Sequence, residues 1–274
     1  MEDQCIYSNL VGIFSGVLTT DVLRYVIGAG GVYLIVNIAL AGRLRARKIR
    51  ADTPPFAQIR REILASLRTV LVFAVNGTLI VLGTKAGIIP IYTEIQTFGW
   101  AYLVFSTAVL ILAHDAWFYW LHRLLHHPPL FRRLHRLHHR SHNPTPFTSY
   151  SFDLGEAVAH AIYLPLILLL LPAHPVAILI FVTHMMLRNA IGHSGYELFP
   201  ANRNGQPLFD WMTTVTHHDL QHAHGGYNLG LYFTWWDRLM GTEHPNYHDA
   251  FRKAACSVPS PRIRAQNGAS VSHE

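Results

Sequence analysis

The sequence predicts an all-α integral membrane protein with about four transmembrane helices, or three plus a re-entrant hairpin, and a cytoplasm-facing cap of histidine-rich helices. Three observations predict it. Half of the 274 residues are hydrophobic and only 14% are charged, with mean hydropathy +0.20, on the apolar side of soluble averages. Several apolar runs reach the thickness of a bilayer core. All nineteen histidines lie at or after His114, and eight of them fall between His114 and Pro146.

The acidic N-terminus, MEDQCIYSNL, lacks the basic start of a secretory signal, so the first apolar run reads as a retained helix. Residues 22–42 carry a single charge and are long enough to cross a bilayer. The loop that follows holds Arg43, Arg45, Arg47, Lys48, Arg50, Arg60 and Arg61 against only Asp52 and Glu62, a bias that assigns it to the cytoplasm. A second run from Leu64 to about Tyr92 and a third from Trp100 onward, joined by the turn-rich GIIPIYTEIQTFG, form a transmembrane hairpin. The third run continues straight into His114 and Asp115, which brings the first histidine cluster to the cytoplasmic membrane surface.

Pro128 and Pro129 must end that helix, since a proline lacks a donor and pushes the residue before it out of helical space. A new helix then carries FRRLHRLHHR. The long apolar tract from about Ala157 to Ile191 is split by LPAHP into two short halves, so a pair of full spans and a shallow re-entrant hairpin both fit. Beyond about Arg252 the chain is polar and basic, and 251–274 reads as a disordered tail. Cys5 and Cys256 are too far apart and too few for a disulfide framework or a thiolate metal site. The net charge of +6 gathers beside apolar spans, which argues against nucleic acid as a partner.

Residues three and four apart share a helix face, so His122 and His126 in HRLLH can point at one metal. His135, His138 and His139 in HRLHH repeat the offsets with three donors, and His218, Gln221 and His222 in HDLQH repeat them again. These supply more nitrogen than one tetrahedral ion uses, so two metals sharing a cage is the economical reading. On the first of these helices Asp115 and Tyr119 fall on the same face as His122 and His126, placed to orient a ligand imidazole. His127, His142, His174, His184, His244, His248 and His273 fit no such pattern. His114 lies inside the third span, eight residues before the first box, and drops out as a ligand.

HDAWFYWLHRLLHH, FRRLHRLHHRSH, GHSGYELFP and THHDLQHAHGGYNLGLYFTWWDRLMGTE resemble, in order and spacing, the histidine boxes of the fatty acid hydroxylase superfamily, which includes sterol desaturases, C-4 methylsterol oxidases, cholesterol 25-hydroxylase and fatty acid 2-hydroxylases. The resemblance covers about residues 100–245 and implies a catalytic region over 100–250, preceded by an N-terminal transmembrane region over 1–99. It implies two iron ions, O2 as co-substrate and a lipid that is hydroxylated or desaturated. The ligands carried over are His122, His126, His135, His138, His139, His193, His218 and His222.

Two positions depart from the family pattern. Gln221 stands where the third box has its middle histidine, and Asn189 stands where some relatives have another. An amide oxygen is a weaker donor than imidazole, so one metal is expected to be looser. Gln221, Asn189 and His217 are further candidate ligands, with His224 beside them. No flavin, haem or nicotinamide fingerprint is visible, so electrons are expected from a separate reductase. Aldehyde-to-alkane conversion and a catalytically silent lipid-binding relative stay open as alternatives. The location expected is the endoplasmic reticulum in a eukaryote or the inner membrane in a bacterium. The sequence does not specify the oligomeric state.

Overall fold

The computed structural model describes residues 2–256, and among these the regular structure is helical, with only isolated β-bridges. Four helical stretches are long and apolar enough to cross a bilayer: Asn9–Ala39, Phe56–Lys85, Gly99–Leu125 and Pro175–Gly192, with a shorter apolar helix over Leu154–Leu170. In chain order the elements are α1 (Glu2–Tyr25), α2 (Phe56–Lys85), α3 (Gly99–Leu125), α4 (Pro128–Leu130), α5 (Arg136–His139), α6 (Leu154–Ala161), α7 (Tyr163–Leu170), α8 (Pro175–Gly192), α9 (Val215–His224), α10 (Trp235–Leu239) and α11 (Tyr247–Cys256).

The first span begins earlier than residue 22. Residues 9–20 are uncharged, and the two charges that follow, Asp21 and Arg24, pair with each other at 2.7 Å, so the apolar run continues across them. After Tyr25 the helix widens into π-turns at Val26–Gly30 and Tyr33–Ala39. Gly28 sits in this widened part because a Cβ there would lie 2.6 Å from the Met186 Cγ of α8. The second helix ends at Lys85, short of Tyr92, where Gly87 adopts φ +73. The tail also needs correcting: α11 continues to Cys256 with Phe251 and Ala254 buried, because it packs against α9, while the remainder of 251–274 lies outside the described residues.

The spans are apolar outside and polar inside, as a lipid solvent requires. Ile27, Leu64 and Val104 point outward, whereas Glu62, Ser66, Thr69, Thr78 and Ser106 are buried between helices. The hairpin of α6–α7 and α8 is deep rather than shallow. Its tip meets the α2–α3 loop, where Tyr92 N donates to Ala173 O at 3.4 Å and His174 Nε2 lies 2.9 Å from Thr93 O. It therefore reaches as far as the turn between α2 and α3. At the opposite end the basic loop folds onto the histidine-bearing segments: Ile49 N donates to Gly195 O, and Arg50 Nε donates to Asp219 Oδ1 on α9 at 2.7 Å. The histidines and the basic loop thus share one end of the bundle.

Between the helices lies a cavity of about 560 Å³. Lys85, Ile91 and Pro175 mark its far end, and Phe118, Phe152, His160 and Asn189 mark the histidine end. It runs beside fifteen residues of α8, from Pro175 to Asn189, a rise of roughly 21 Å.

Candidate metal centre

His126 closes α3 as its C-cap, and His127 turns extended (ψ 131) ahead of the two prolines. The chain resumes as α4, passes through a π-turn over Phe131–His135, and continues as α5. His135 has φ −128, a break between the π-turn and α5. This break divides the second box: His135 and His139 turn one way and His138 the other, instead of all three sharing a face. On α9, Thr214 caps the start by accepting from His217 N, and Gly225 at φ +64 ends the helix just past the third box.

Eight imidazoles gather in two sets of four. His122, His126, His135 and His139 form the first, and His138, His193, His218 and His222 the second. In each set the donor atoms all lie within 4.8 Å of one another. The two sets adjoin through His139 and His222, whose ring centroids are 5.0 Å apart. Burial pushes the imidazoles toward the neutral form that binds metals, His139 to about 3 and His193 to about 4, with His138, His218 and His222 also held well below the ordinary value.

The tautomers can be read from the outer hydrogen bonds. His122 Nδ1 donates to Leu229 O at 2.9 Å, His135 Nδ1 to Glu156 Oε1 at 2.7 Å, and His193 Nδ1 to Asn189 O at 2.8 Å. A neutral imidazole carries one proton, so each of these presents a bare Nε2 lone pair to the interior. Yet His122 Nε2 and His135 Nε2 stand 3.1 Å apart. Two lone pairs at that distance repel each other, and a cation between them removes the conflict. The donor set therefore fits metal ions.

Gln221 packs into the first set. Its amide nitrogen lies 3.0, 2.8 and 3.1 Å from Nε2 of His122, His126 and His139, while its Oε1 is buried without a partner. Rotating the amide end for end moves no other atom and turns the oxygen inward as a fifth donor. Asn189 enters neither set through its amide nitrogen, which donates to Ser149 O at 2.8 Å, and it orients His193 through its backbone carbonyl. His217 points away from the centre: its Nε2 lies 3.6 Å from Asp237 Oδ2, and its ring faces Tyr247. It is one residue off the ligand face of α9, as is His224 at the helix end, whose ring meets that of His244 at a tilt with centroids 4.7 Å apart.

Asp115 and Tyr119 do not touch an imidazole nitrogen, because the loop over residues 228–242 comes between. Asp115 Oδ1 accepts from Tyr232 N at 2.8 Å and Phe233 N at 3.3 Å, and Tyr119 Oη lies 2.9 Å from Thr242 Oγ1. The same loop is pinned by Asp237, which accepts from Leu229 N and Gly230 N. A Cβ at Gly230 would lie 2.6 Å from Phe233 O, so only glycine fits this turn. These residues together fix the Leu229 carbonyl that aims His122. Glu156, the carboxylate that orients His135, was not anticipated from sequence. Its available signal was an acidic residue opening an apolar tract, four before His160.

Residues 107–242 match the family model described as fatty acid hydroxylase. The chain belongs to the fatty acid hydroxylase superfamily. Among curated relatives, a Delta(7)-sterol 5(6)-desaturase of Gibberella zeae is 27% identical over 185 residues, covering 68% of this chain and 56% of its own length. The lathosterol oxidase of Mus musculus is 29% identical, covering 69% and 62%, and the cholesterol 25-hydroxylase of Homo sapiens is 29% identical, covering 73% and 72%. The chain thus spans about three-fifths of the first two relatives, 56% and 62%. No solved structure matches. Membership in the fatty acid hydroxylase superfamily and the four candidate spans together make this an integral membrane protein.

Proposed function

We propose that the protein is a membrane-bound oxidoreductase that uses O2 and two iron ions, held by the eight histidines, to hydroxylate or desaturate a lipid such as a sterol or a fatty acyl chain. The observation that carries this reading is that both histidine sets lie at one end of a tall, largely apolar cavity between the spans. Bound iron would supply the oxidising power toward an unactivated C–H bond that no side chain possesses.

The chain's own residues do the rest. His122, His135 and His193 are held in the binding tautomer by Leu229 O, Glu156 and Asn189 O. Phe118 and Phe152 sandwich His160 at centroid distances of 5.2 and 5.1 Å, forming a dry wall between cavity and histidines that excludes water from the reacting carbon. Because α1 and α2 line the cavity, residues 1–99 contribute to the substrate site and are more than an anchor for the catalytic region over 100–250. The basic loop marks the metal end as cytoplasmic, whether in the endoplasmic reticulum or a bacterial inner membrane, and a separate donor protein delivers electrons there.

One observation favours a second reading, a lipid-binding relative without turnover: Gln221 replaces an imidazole in the first set. Full-length protein in its membrane, assayed for iron and for lipid products, separates the two. Two irons per chain with a lipid gaining one oxygen or losing two hydrogens supports the oxidase. Iron well below one per chain after Fe(II) reconstitution, with lipid still bound, sinks it in favour of the silent relative.

A further inference from the structure

Two charged side chains sit midway along the first span. Asp21 and Arg24 both line the cavity, one turn apart, and pair at 2.7 Å. Asp21 is 6% exposed, and Arg24 Nε is buried with no hydrogen-bond partner. Tyr150, 1% exposed, lines the same cavity with its buried hydroxyl close to the Arg24 guanidinium but not in ordinary hydrogen-bond geometry with it. Stability alone gives no reason for such a pair, since a buried ion pair replaced by well-packed apolar groups often leaves a protein as stable or more so. Charges within a span are rare, and those that persist face a cavity or pathway where they are used. Asp21 and Arg24 also lie outside the stretch shared with the family, residues 107–242.

We propose that Asp21, Arg24 and Tyr150 form the polar subsite that binds the head of the lipid substrate, and that this head is a neutral hydroxyl. The subsite rests on the lipid-oxidation reading and deepens it. A carboxylate accepts hydrogen bonds, a guanidinium donates them, and a phenol does either, so an alcohol, donor and acceptor at once, satisfies the set. The Asp–Arg pair is already neutral overall. A substrate carboxylate or phosphate would bring an unbalanced negative charge beside Asp21 in a low-dielectric wall.

The surrounding surface is largely hydrocarbon, including Ile80, Val81, Leu164, Ile178 and Val182; of its other polar side chains Thr20 and Thr84 donate to carbonyls of their own helices, Lys85 stands at the far end, and Asn76, His114, His160 and Asn189 complete the lining. The cavity volume of about 560 Å³ falls within the range of lipid-sized ligand sites. Two ring contacts separate the subsite from the histidines: Tyr150 to Phe152 at 6.3 Å and Phe152 to His138 at 5.5 Å. The oxidised carbon therefore lies a short, fixed reach from the hydroxyl.

The test is equilibrium binding to the full chain in nanodiscs, using tritiated cholest-7-en-3β-ol, its 3-deoxy analogue and stearate. The variants are Tyr150→Phe, which removes one oxygen and leaves the packing, and the double change Asp21→Leu with Arg24→Leu, which leaves no orphan charge. Wild type should bind the alcohol roughly tenfold or more tightly than the deoxy analogue. Both variants should lose most of that preference while binding the deoxy analogue as wild type does, which also reports an intact fold. A wild-type preference retained in both variants overturns the subsite. Stearate bound more tightly than the alcohol, through the same residues, overturns the neutral head. If wild type binds neither sterol, the subsite is overturned, while the lipid-oxidation reading, which also admits an acyl chain, stands or falls on the iron and lipid-product assay.

Discussion

The two histidine sets are built from the same residue type and adjoin, yet they differ in closure and composition. In the second, His138, His193, His218 and His222 are all buried and all four donors are imidazole. In the first, His126 is only partly buried, and an amide, Gln221, stands among the rings. The orienting groups differ too: a carboxylate and a loop carbonyl serve the first set, a helix carbonyl the second. The difference teaches that a sealed all-imidazole set and an accessible mixed set would hold their ions unequally, with the mixed set the one to exchange.

The largest effect is expected from His222→Ala, which removes one of four donors from the sealed set beside His139. Metal analysis should show that set emptied and turnover abolished; full turnover would break the two-set picture. Glu156→Gln comes next, lowering metal affinity by about 10–100-fold. Competition with a chelator should find that loss confined to the first set, and an equal loss at both would erase the contrast. Gln221→His should act in the opposite direction, raising retention of the first ion until the two sets behave alike, with Gln221→Leu lowering it.

The smallest effect is on pH dependence of the metal-free protein. His139 and His193 are held down to about 3 and about 4, whereas an unfolded imidazole takes up its proton near 6.5. Below about 6.5 the unfolded chain gains protons that the folded chain refuses. Stability is therefore intact above about pH 7 and declines as the pH falls toward 4. Thermal unfolding in detergent across that window should show the midpoint dropping with acid, and a midpoint that rises would reverse the assignment of neutral rings.

Much of this architecture is legible in the sequence where one local rule governs. The prolines at 128 and 129 end α3 at the expected place, and the apolar runs give the spans. All eight expected histidines come together, although nothing local says how they divide. The division of HRLHH depends on the π-turn over Phe131–His135 and the break at His135, a distortion that ideal helical spacing cannot express. Asp115 fell on the expected face of α3, but the loop that intervenes comes from more than a hundred residues away, and side-chain spacing carries no information about it. Glu156 was hidden for the same reason, since its partner His135 lies on another element. The depth of the α6–α8 hairpin depended on what its tip touches, and a run of apolar residues reads the same at any depth.

The strap between Arg50 and Asp219 joins the first connecting loop to the helix that carries the last ligands. During biosynthesis these two ends emerge far apart in time. His122 through His139 leave the ribosome about 80 residues before His218, a wait on the order of ten seconds at ordinary elongation rates. Throughout that interval the first set has its four imidazoles but neither Gln221 nor the Leu229 carbonyl that aims His122, and the second set has only His138. Closure of the second set therefore waits for α9, and the Arg50–Asp219 strap can form only once that helix has been made.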